Sequence, residues 1–96
     1  MARSDVRIET RVERETAEGT IVAVHVIEGR GETRHEVTVT RAVLDRLARP
    51  DEPATRFVER CFEFLLAREP KESIMTRFDV MTIARYFPEF ERVIVA

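Results

Sequence analysis

Two histidines and one cysteine are the side chains of this chain best suited to acid–base, metal-binding or nucleophilic chemistry. His25 and His35 flank a segment with two glycines, which predicts a hairpin that could bring the two imidazoles face to face. Facing imidazoles can bind a metal ion or transfer protons. The surrounding residues favour a simpler interpretation, in which each histidine is a polar group on the face of a sheet.

Cys61 is the single cysteine of the chain, so it cannot form an internal disulfide. Arg60 precedes it, and a neighbouring cation can activate a thiol as a nucleophile. Helical spacing, however, places Cys61 on an apolar stripe between Val58 and Leu65, facing away from Arg60. We therefore predict a buried, unreactive cysteine and a reducing compartment.

No histidine and cysteine positions have the spacing of a zinc site, and no pair of carboxylates can be shown to converge. We therefore predict no metal, no cofactor and no catalytic residue, and we lean against an enzyme. The candidate ligand-binding residues are Arg77, Arg85, Tyr86 and His25, which would supply polar groups to a pocket between a sheet and the C-terminal helix. Of the aromatic rings, Tyr86 and Phe90 are expected to reach the surface.

The elements that must position these residues differ between the two halves of the chain. Every aromatic residue lies beyond position 56, whereas the first half is rich in valine and isoleucine. Slim β-branched side chains suit a sheet, and flat rings suit helices that cover it. Alternation at 6–13 predicts an edge strand, and a run that is apolar on both faces at 20–28 predicts the central strand. A third strand is predicted at 33–40.

The loop length of the second hairpin decides which residues share a face. Two-residue loops at 29–30 or 30–31 place five valines on one face of the sheet, namely Val22, Val24, Val26, Val37 and Val39. We favour this register, with His25 near Glu36. A three-residue loop with Gly31 in the left-handed conformation instead sets His25 opposite His35.

In either register the central strand also carries apolar residues on its second face. Helices on one side of the sheet cannot cover that face, and an exposed apolar sheet face is unfavourable in water. A second copy of the chain is the simplest cover, so we predict a homodimer through the second sheet face.

Helices are predicted at 41–48, 53–68 and 79–87. Their proposed N-caps are Thr40, Asp51 and Asp79. The middle helix should bury Phe57 and Phe62 against the valines. Its outer face should be solvated and carry alternating charges, from Arg56, Glu59, Arg60 and Glu63. The tail at 93–95 should add a strand or fray.

Length, net charge and hydropathy argue against a multidomain, nucleic-acid-binding or membrane-spanning protein. The 96 residues fit one domain, 1–96, and a net charge of -2 argues against a nucleic-acid partner. No segment approaches the roughly 18 apolar residues that indicate a membrane span. The polar start at 1–5 lacks the apolar run of a signal peptide, so a cytoplasmic location is expected.

A ribbon-helix-helix DNA-binding protein is an alternative, because a strand at 34–40 is followed by two helices. Three features oppose it. Two credible strands precede the strand that should stand alone, the first helix is short, and the outward residues of the strand include Glu36 and lack a basic excess.

Three segments of the C-terminal half carry a resemblance to known sequences. They are FVERCFEFLLAREPKESI at 57–74, RFDV at 77–80 and IARYFPEFE at 83–91. In these segments the chain resembles a family of short bacterial proteins to which no activity is assigned. The resemblance implies a small, soluble bacterial protein and contributes no catalytic residue.

The sequence thus predicts an α+β fold, with a three-stranded antiparallel meander and helices packed on one face of the sheet. The function that fits best is non-enzymatic self-association or interaction with another protein. The alternatives are a small-ligand-binding or catalytic domain with a pocket between the sheet and the C-terminal helix, and the ribbon-helix-helix DNA-binding regulator.

Overall fold

The valine-rich half of the chain forms three long antiparallel strands. The computed structural model describes residues 5–96. Its strands are β1 (Val6–Glu15), β2 (Gly19–Glu28), β3 (Gly31–Thr40) and the short β4 (Arg77–Asp79). The order in the sheet is β1-β2-β3-β4, with β4 parallel to β3. The predicted α+β fold and its antiparallel meander are therefore confirmed, whereas β4 was not predicted. Residues 1–4, part of the start on which the signal-peptide prediction was based, lie outside the described residues.

The helices lie on one face of this sheet. They are α1 (Arg41–Leu47), α2 (Ala54–Leu66), α3 (Thr82–Tyr86) and α4 (Phe90–Val95), with a 3-10 turn at Lys71–Ser73. α2 crosses β1, β2 and β3, and α4 packs on α1 and α2. Since β3 is hydrogen-bonded on both edges, by β2 and β4, it is not the free strand that a ribbon-helix-helix dimer needs.

The second hairpin has the register that brings the valines together. Its loop is Gly29–Arg30, and Gly29 has a φ of 59°, a left-handed conformation that glycine adopts without strain. The valines at 22, 24, 26, 37 and 39 are at most 2% exposed. His25, however, pairs with Arg34, and His35 pairs with Val24. The predicted partners of His25, His35 or Glu36, are both wrong. The two histidines lie on opposite faces of the sheet, and the two-residue loop lies at 29–30 instead of 30–31, which shifts the pairing by two residues.

The core lies between the valines and α2. The inward stripe of α2 is buried as predicted at Phe57, Val58, Cys61, Phe62 and Leu65, whereas Leu66, the last residue of the predicted stripe, is only partly buried. Burial of each large apolar side chain contributes roughly 2 kcal/mol to folding. This stripe therefore accounts for how α2 is held on the sheet.

Two of the predicted helix caps differ from the structure. Thr40 caps α1 as predicted, since its Oγ1 accepts a hydrogen bond from the Val43 N–H at 3.2 Å. Asp51 does not cap α2. It has a φ of 64°, and Pro53 occupies the N-cap position without a side-chain hydrogen bond. The chain turns back at Asp51, so its carboxylate cannot reach the first turn of α2.

The C-terminal segment differs most from its prediction. Where one helix was predicted at 79–87, β4 ends at Asp79 and α3 begins at Thr82. Asp79 still acts as a cap, but of the intervening turn, because its Oδ1 accepts a hydrogen bond from the Met81 N–H at 2.9 Å. The tail at 93–95 neither frays nor forms a strand, since it belongs to α4 and Ile94 is buried.

One residue of the outer face of α2 is buried against expectation. Arg56 and Glu59 form the predicted surface pair at 2.9 Å. Arg60 is only 8% exposed, and its Nε and Nη2 donate to the Glu52 carboxylate at 2.7 and 2.8 Å. Its Nη1 donates to the Ile94 carbonyl at 2.7 Å. The prediction of a wholly solvated face was wrong because α4 and the segment before α2 cover Arg60.

Candidate functional site

The face of the sheet that points away from the helices is the first candidate site. Side chains alternate between the two faces of a strand, so pairing with known core residues identifies its members. We call it the open face. It consists of Arg7, Glu9, Arg11 and Arg14 from β1, Ile21, Ala23, His25 and Ile27 from β2, Glu32, Arg34, Glu36 and Thr38 from β3, and Arg77 and Asp79 from β4.

The middle of the open face is mostly apolar. Ile21, Ala23 and Ile27 lie on this face of β2, with His25 between Ala23 and Ile27. They are half-buried, although none of the helices described over residues 5–96 covers them. The flanking strands shield them with long charged side chains. A shallow depression of about 620 Å³ lies over this face.

The charges on the two sides of β2 follow a regular order. The cross-strand rows are Arg7–Ile27–Glu32, Glu9–His25–Arg34 and Arg11–Ala23–Glu36. In each of these rows, the side chain on β1 and the side chain on β3 have opposite signs. The signs also alternate from Arg7 to Arg11 along β1 and from Glu32 to Glu36 along β3, whereas the fourth row, Arg14–Ile21–Thr38, carries a single charge.

His25 is the centre of an ion-pair chain across three strands. Its Nδ1 lies 3.7 Å from Glu9 Oε1, and its Nε2 is hydrogen-bonded to Glu32. Glu9 also pairs with Arg7 at 3.1 Å, and Glu32 lies 3.7 Å from Arg34. The hydrogen bond and charge of His25, with a smaller contribution from Arg34, hold the pKa of the Glu32 carboxyl below its ordinary value.

The contacts of His25 lie at the surface of the sheet. His25 and Glu9 line a shallow depression on the open face. Within the described range 5–96, no group of three or more His, Cys, Asp or Glu side chains is arranged to hold a metal ion. The longest described helix, α2, has 13 residues, and no helix in this range is long and apolar enough to cross a bilayer.

A second candidate site is an apolar pocket at the opposite side of the fold. It has a volume of about 420 Å³ and lies between α2, β4 and α3. Its lining includes Leu65, Phe78, Ile83, Tyr86 and Phe87. The polar groups at its edge come from Glu69, Ser73 and Thr82. This is the pocket near the C-terminal helices that the sequence suggested.

The four candidate ligand-binding residues do not converge. Tyr86 lines the apolar pocket and is 68% exposed, as expected for a ring that reaches the surface. His25 and Arg77 line the depression on the open face instead. Arg85 is exposed and lines neither of these sites. Phe90, the other ring expected at the surface, is completely buried in α4, so that prediction was wrong.

His35 and Cys61 belong to the core. The His35 Nδ1 donates to the Met75 carbonyl at 2.8 Å, so the neutral ring accepts at Nε2 from the Thr33 hydroxyl, also at 2.8 Å. Burial lowers the pKa of the His35 imidazole. Cys61 is 1% exposed, which confirms its predicted burial, and this burial raises the pKa of its thiol.

Comparison with known proteins identifies no relative of this chain. No family model matches it, and no curated protein or solved structure is significantly similar to it. The resemblance of its C-terminal half to short bacterial proteins therefore stays a prediction. The function has to be argued from the two sites.

The sequence did not single out most residues of the open face. Glu9, Arg11, Glu32 and Arg34 look like ordinary strand charges when each strand is taken alone. Their order across the sheet depends on which residues pair. A two-residue loop at Gly29–Arg30 would have been sufficient to predict the rows between β2 and β3.

Proposed function

We propose that this protein is a self-associating domain, which forms a homodimer by stacking the open faces of two copies and performs no catalysis. The uncovered strip of Ile21, Ala23 and Ile27 carries this proposal. Two sheets that pack face to face lie about 10 Å apart and bury such a strip on both sides. A reducing, cytoplasmic setting fits the free cysteine, Cys61.

The charges of the open face favour a second copy over an unrelated partner. A partner of one dominant charge would fit a surface of the opposite charge. Here each strand beside β2 carries both signs, and three of the four rows pair one sign with the other. A surface of this kind is complementary to itself.

The size of the open face sets the expected strength of the dimer. Ten residues at about 3.3 Å each and three strands about 4.8 Å apart give roughly 500 Å² of projected area per copy. Stable interfaces bury about 800 Å² on each partner, so we expect a dimer that dissociates in the micromolar range.

The test is Ile27→Asp, measured by sedimentation velocity over concentrations from about 1 to 500 µM. The wild type should shift from monomer to dimer within this range, and the variant should remain monomeric, because a carboxylate in the apolar strip would be desolvated without a partner. The valines of β2 are unsuitable, since they lie in the core and their replacement would unfold the chain.

Val95→Asp is the matched control, because Val95 is an exposed aliphatic residue at the end of α4, away from the open face. It should dimerise like the wild type. A wild type that stays monomeric throughout, or an Ile27→Asp variant that dimerises equally well, would refute the proposal.

The apolar pocket supports a second candidate function, the binding of a small apolar ligand with a polar group. The exposed ring of Tyr86 at the mouth of the pocket favours it. A metabolite panel should raise the melting temperature of the wild type, and Tyr86→Ala should abolish the shift. Tyr86→Phe, which keeps the ring, should retain most of it. A panel without any shift would count against this function.

A further inference from the structure

The order of charges on the open face specifies how the two copies are oriented. We infer that they stack about a two-fold axis that runs along β2, so that β1 of each copy lies over β3 of the other. This inference rests on the proposed function and adds the geometry of the dimer and the residues that specify it.

A rotation of 180° about an axis along β2 leaves each residue in its row and exchanges the two sides of the sheet. Side chains on β1 then meet the side chains of the same row on β3 of the second copy. The facing residues are Arg7 and Glu32, Glu9 and Arg34, and Arg11 and Glu36. All three facing pairs have opposite signs, and the symmetry forms each pair twice.

The other face-to-face arrangement fits less well. An axis perpendicular to the strands keeps each strand over its own counterpart and exchanges the rows. It forms two kinds of opposite-sign pair, Glu9 over Arg11 and Arg34 over Glu36, but it also places Arg7 over the like-charged Arg14 of the second copy and Glu32 over the neutral Thr38. The axis along β2 forms three kinds of opposite-sign pair and no like-charge pair, with Arg14 over the neutral Thr38. Like charges that face each other across an interface disfavour this arrangement.

The natural twist of sheets does not disrupt the pairing. Aligned sheets cross at about 30°, and rows on one strand are about 6.8 Å apart, so the outer rows move by roughly 3 Å. Arginine and glutamate side chains can follow a displacement of this size. The middle row, which contains Glu9 and Arg34, lies nearest the centre of rotation and moves least.

The strip on β2 and the charges beside it have different tasks in this dimer. β2 lies over β2 of the second copy, so Ile21, Ala23 and Ile27 each meet their own counterpart and bury apolar area. The ion pairs add less affinity, because desolvation offsets much of their attraction, but they exclude wrong orientations. His25 meets its counterpart on the axis, where Glu9 and Glu32 of its own copy balance its charge when it is protonated.

Two single charge reversals test the inference by complementation in trans. In a homodimer of Arg11→Glu, the new glutamate on one copy faces Glu36 of the other copy. In a homodimer of Glu36→Arg, the new arginine on one copy faces Arg11 of the other. Each variant alone should dimerise about tenfold more weakly than the wild type. In an equimolar mixture, both facing pairs of the heterodimer regain opposite signs. Native mass spectrometry should therefore show the heterodimer in excess over both homodimers, and sedimentation should return to nearly wild-type affinity.

The equimolar mixture distinguishes lost ion pairs between the two copies from lost contacts within one chain, because only the former are restored in the heterodimer. Glu36 also forms an ion pair with Arg77 at 2.7 Å, so each variant is first checked for folding by circular dichroism and thermal unfolding. Should Glu36→Arg fail to fold, Glu9→Arg and Arg34→Glu form the second pair, with the same expected complementation. Arg85→Glu, an identical charge change outside the open face, should leave dimerisation unchanged.

The outcomes separate the inference from the function on which it rests. A wild type that never dimerises overturns both. A wild-type dimer whose two variants fail to complement each other overturns the axis along β2 alone, because an axis perpendicular to the strands leaves Glu over Glu and Arg over Arg in the mixture. Variants that each dimerise like the wild type also overturn it.

Discussion

His35 is a polar residue that the structure uses as part of the core. Its ring packs against Phe62 with the ring centroids 5.1 Å apart, and both of its nitrogens have partners. One of these partners, the Met75 carbonyl, belongs to the segment that leads into β4. A histidine on a strand is usually a surface group, and its burial here is explained by this segment, which lies against the middle of β3 at His35 and Glu36.

The titration of His35 should make folding sensitive to mild acid. Because the pKa of His35 is lowered in the folded state, the unfolded chain binds the proton first as the pH falls. The contribution of His35 to the free energy of unfolding is therefore complete above pH 6.5 and decreases below it, until the lowered folded pKa is reached. In His35→Gln this part of the pH dependence should disappear.

Urea unfolding at a series of pH values between about 7.5 and 5 measures this difference. Thr33→Val is the control, since it removes the hydroxyl that contacts the ring and leaves the titrating group. A His35→Gln variant with the same pH dependence as the wild type would show that His35 is not the responsible group.

The buried ion pair of Arg60 connects elements that are distant in the chain. Arg60 projects from α2, and its carboxylate partner Glu52 precedes that helix. The Ile94 carbonyl, which accepts a hydrogen bond from Arg60, lies in the last turn of α4. The Arg60 guanidinium therefore binds both the segment before α2 and the C-terminal helix α4. This contact explains why α4 forms at the end of the chain instead of fraying.

Replacing Arg60 should be strongly destabilising. Arg60→Met leaves the Glu52 carboxylate buried without its partner, which costs about 3 kcal/mol of unfolding free energy. Urea unfolding measures the loss. Arg56→Met, on the same helix but in an exposed pair with Glu59, should change stability by about 0.5 kcal/mol or less. Equal losses for the two variants would contradict the structural role of Arg60.

The ion pair of Arg60 and Glu52 should lose its contribution to the free energy of unfolding in acid. Hydrogen bonds from Arg60 hold the pKa of Glu52 below its ordinary value of 4.5, so its contribution is complete above that pH and is lost as the pH falls through the lower folded value. Glu52→Gln should remove this loss. The same urea series, extended to lower pH, shows it.

The protein as a whole has two unlike sides. Helices and rings cover the valine face of the sheet, whereas charges in alternating order surround a narrow apolar strip on the open face. A monomer of 11.2 kDa with this division has a stable core and an incompletely covered sheet. The concentration-dependent dimer and its charge complementation are expected from this asymmetry.

Local rules in the sequence were sufficient for several elements. Thr40 caps α1, the alternation and the doubly apolar run form β1 and β2, and the apolar spacing in α2 buries Phe57 and Cys61. Each of these outcomes depends on residues that are close together in the chain. The physical causes are side-chain periodicity and a hydroxyl that reaches the first turn of a helix.

Other features depend on contacts between distant segments, and the sequence pattern did not indicate them. β4 pairs with β3 across about 40 residues, His35 is buried by the segment at Met75, and Arg60 is buried by α4. The rows of the open face likewise required the true pairing of three strands. Periodicity along one segment predicts which of its side chains share a face. Which segment covers that face, and which charged residue pairs with it on the neighbouring strand, are decided only when the segments pack together.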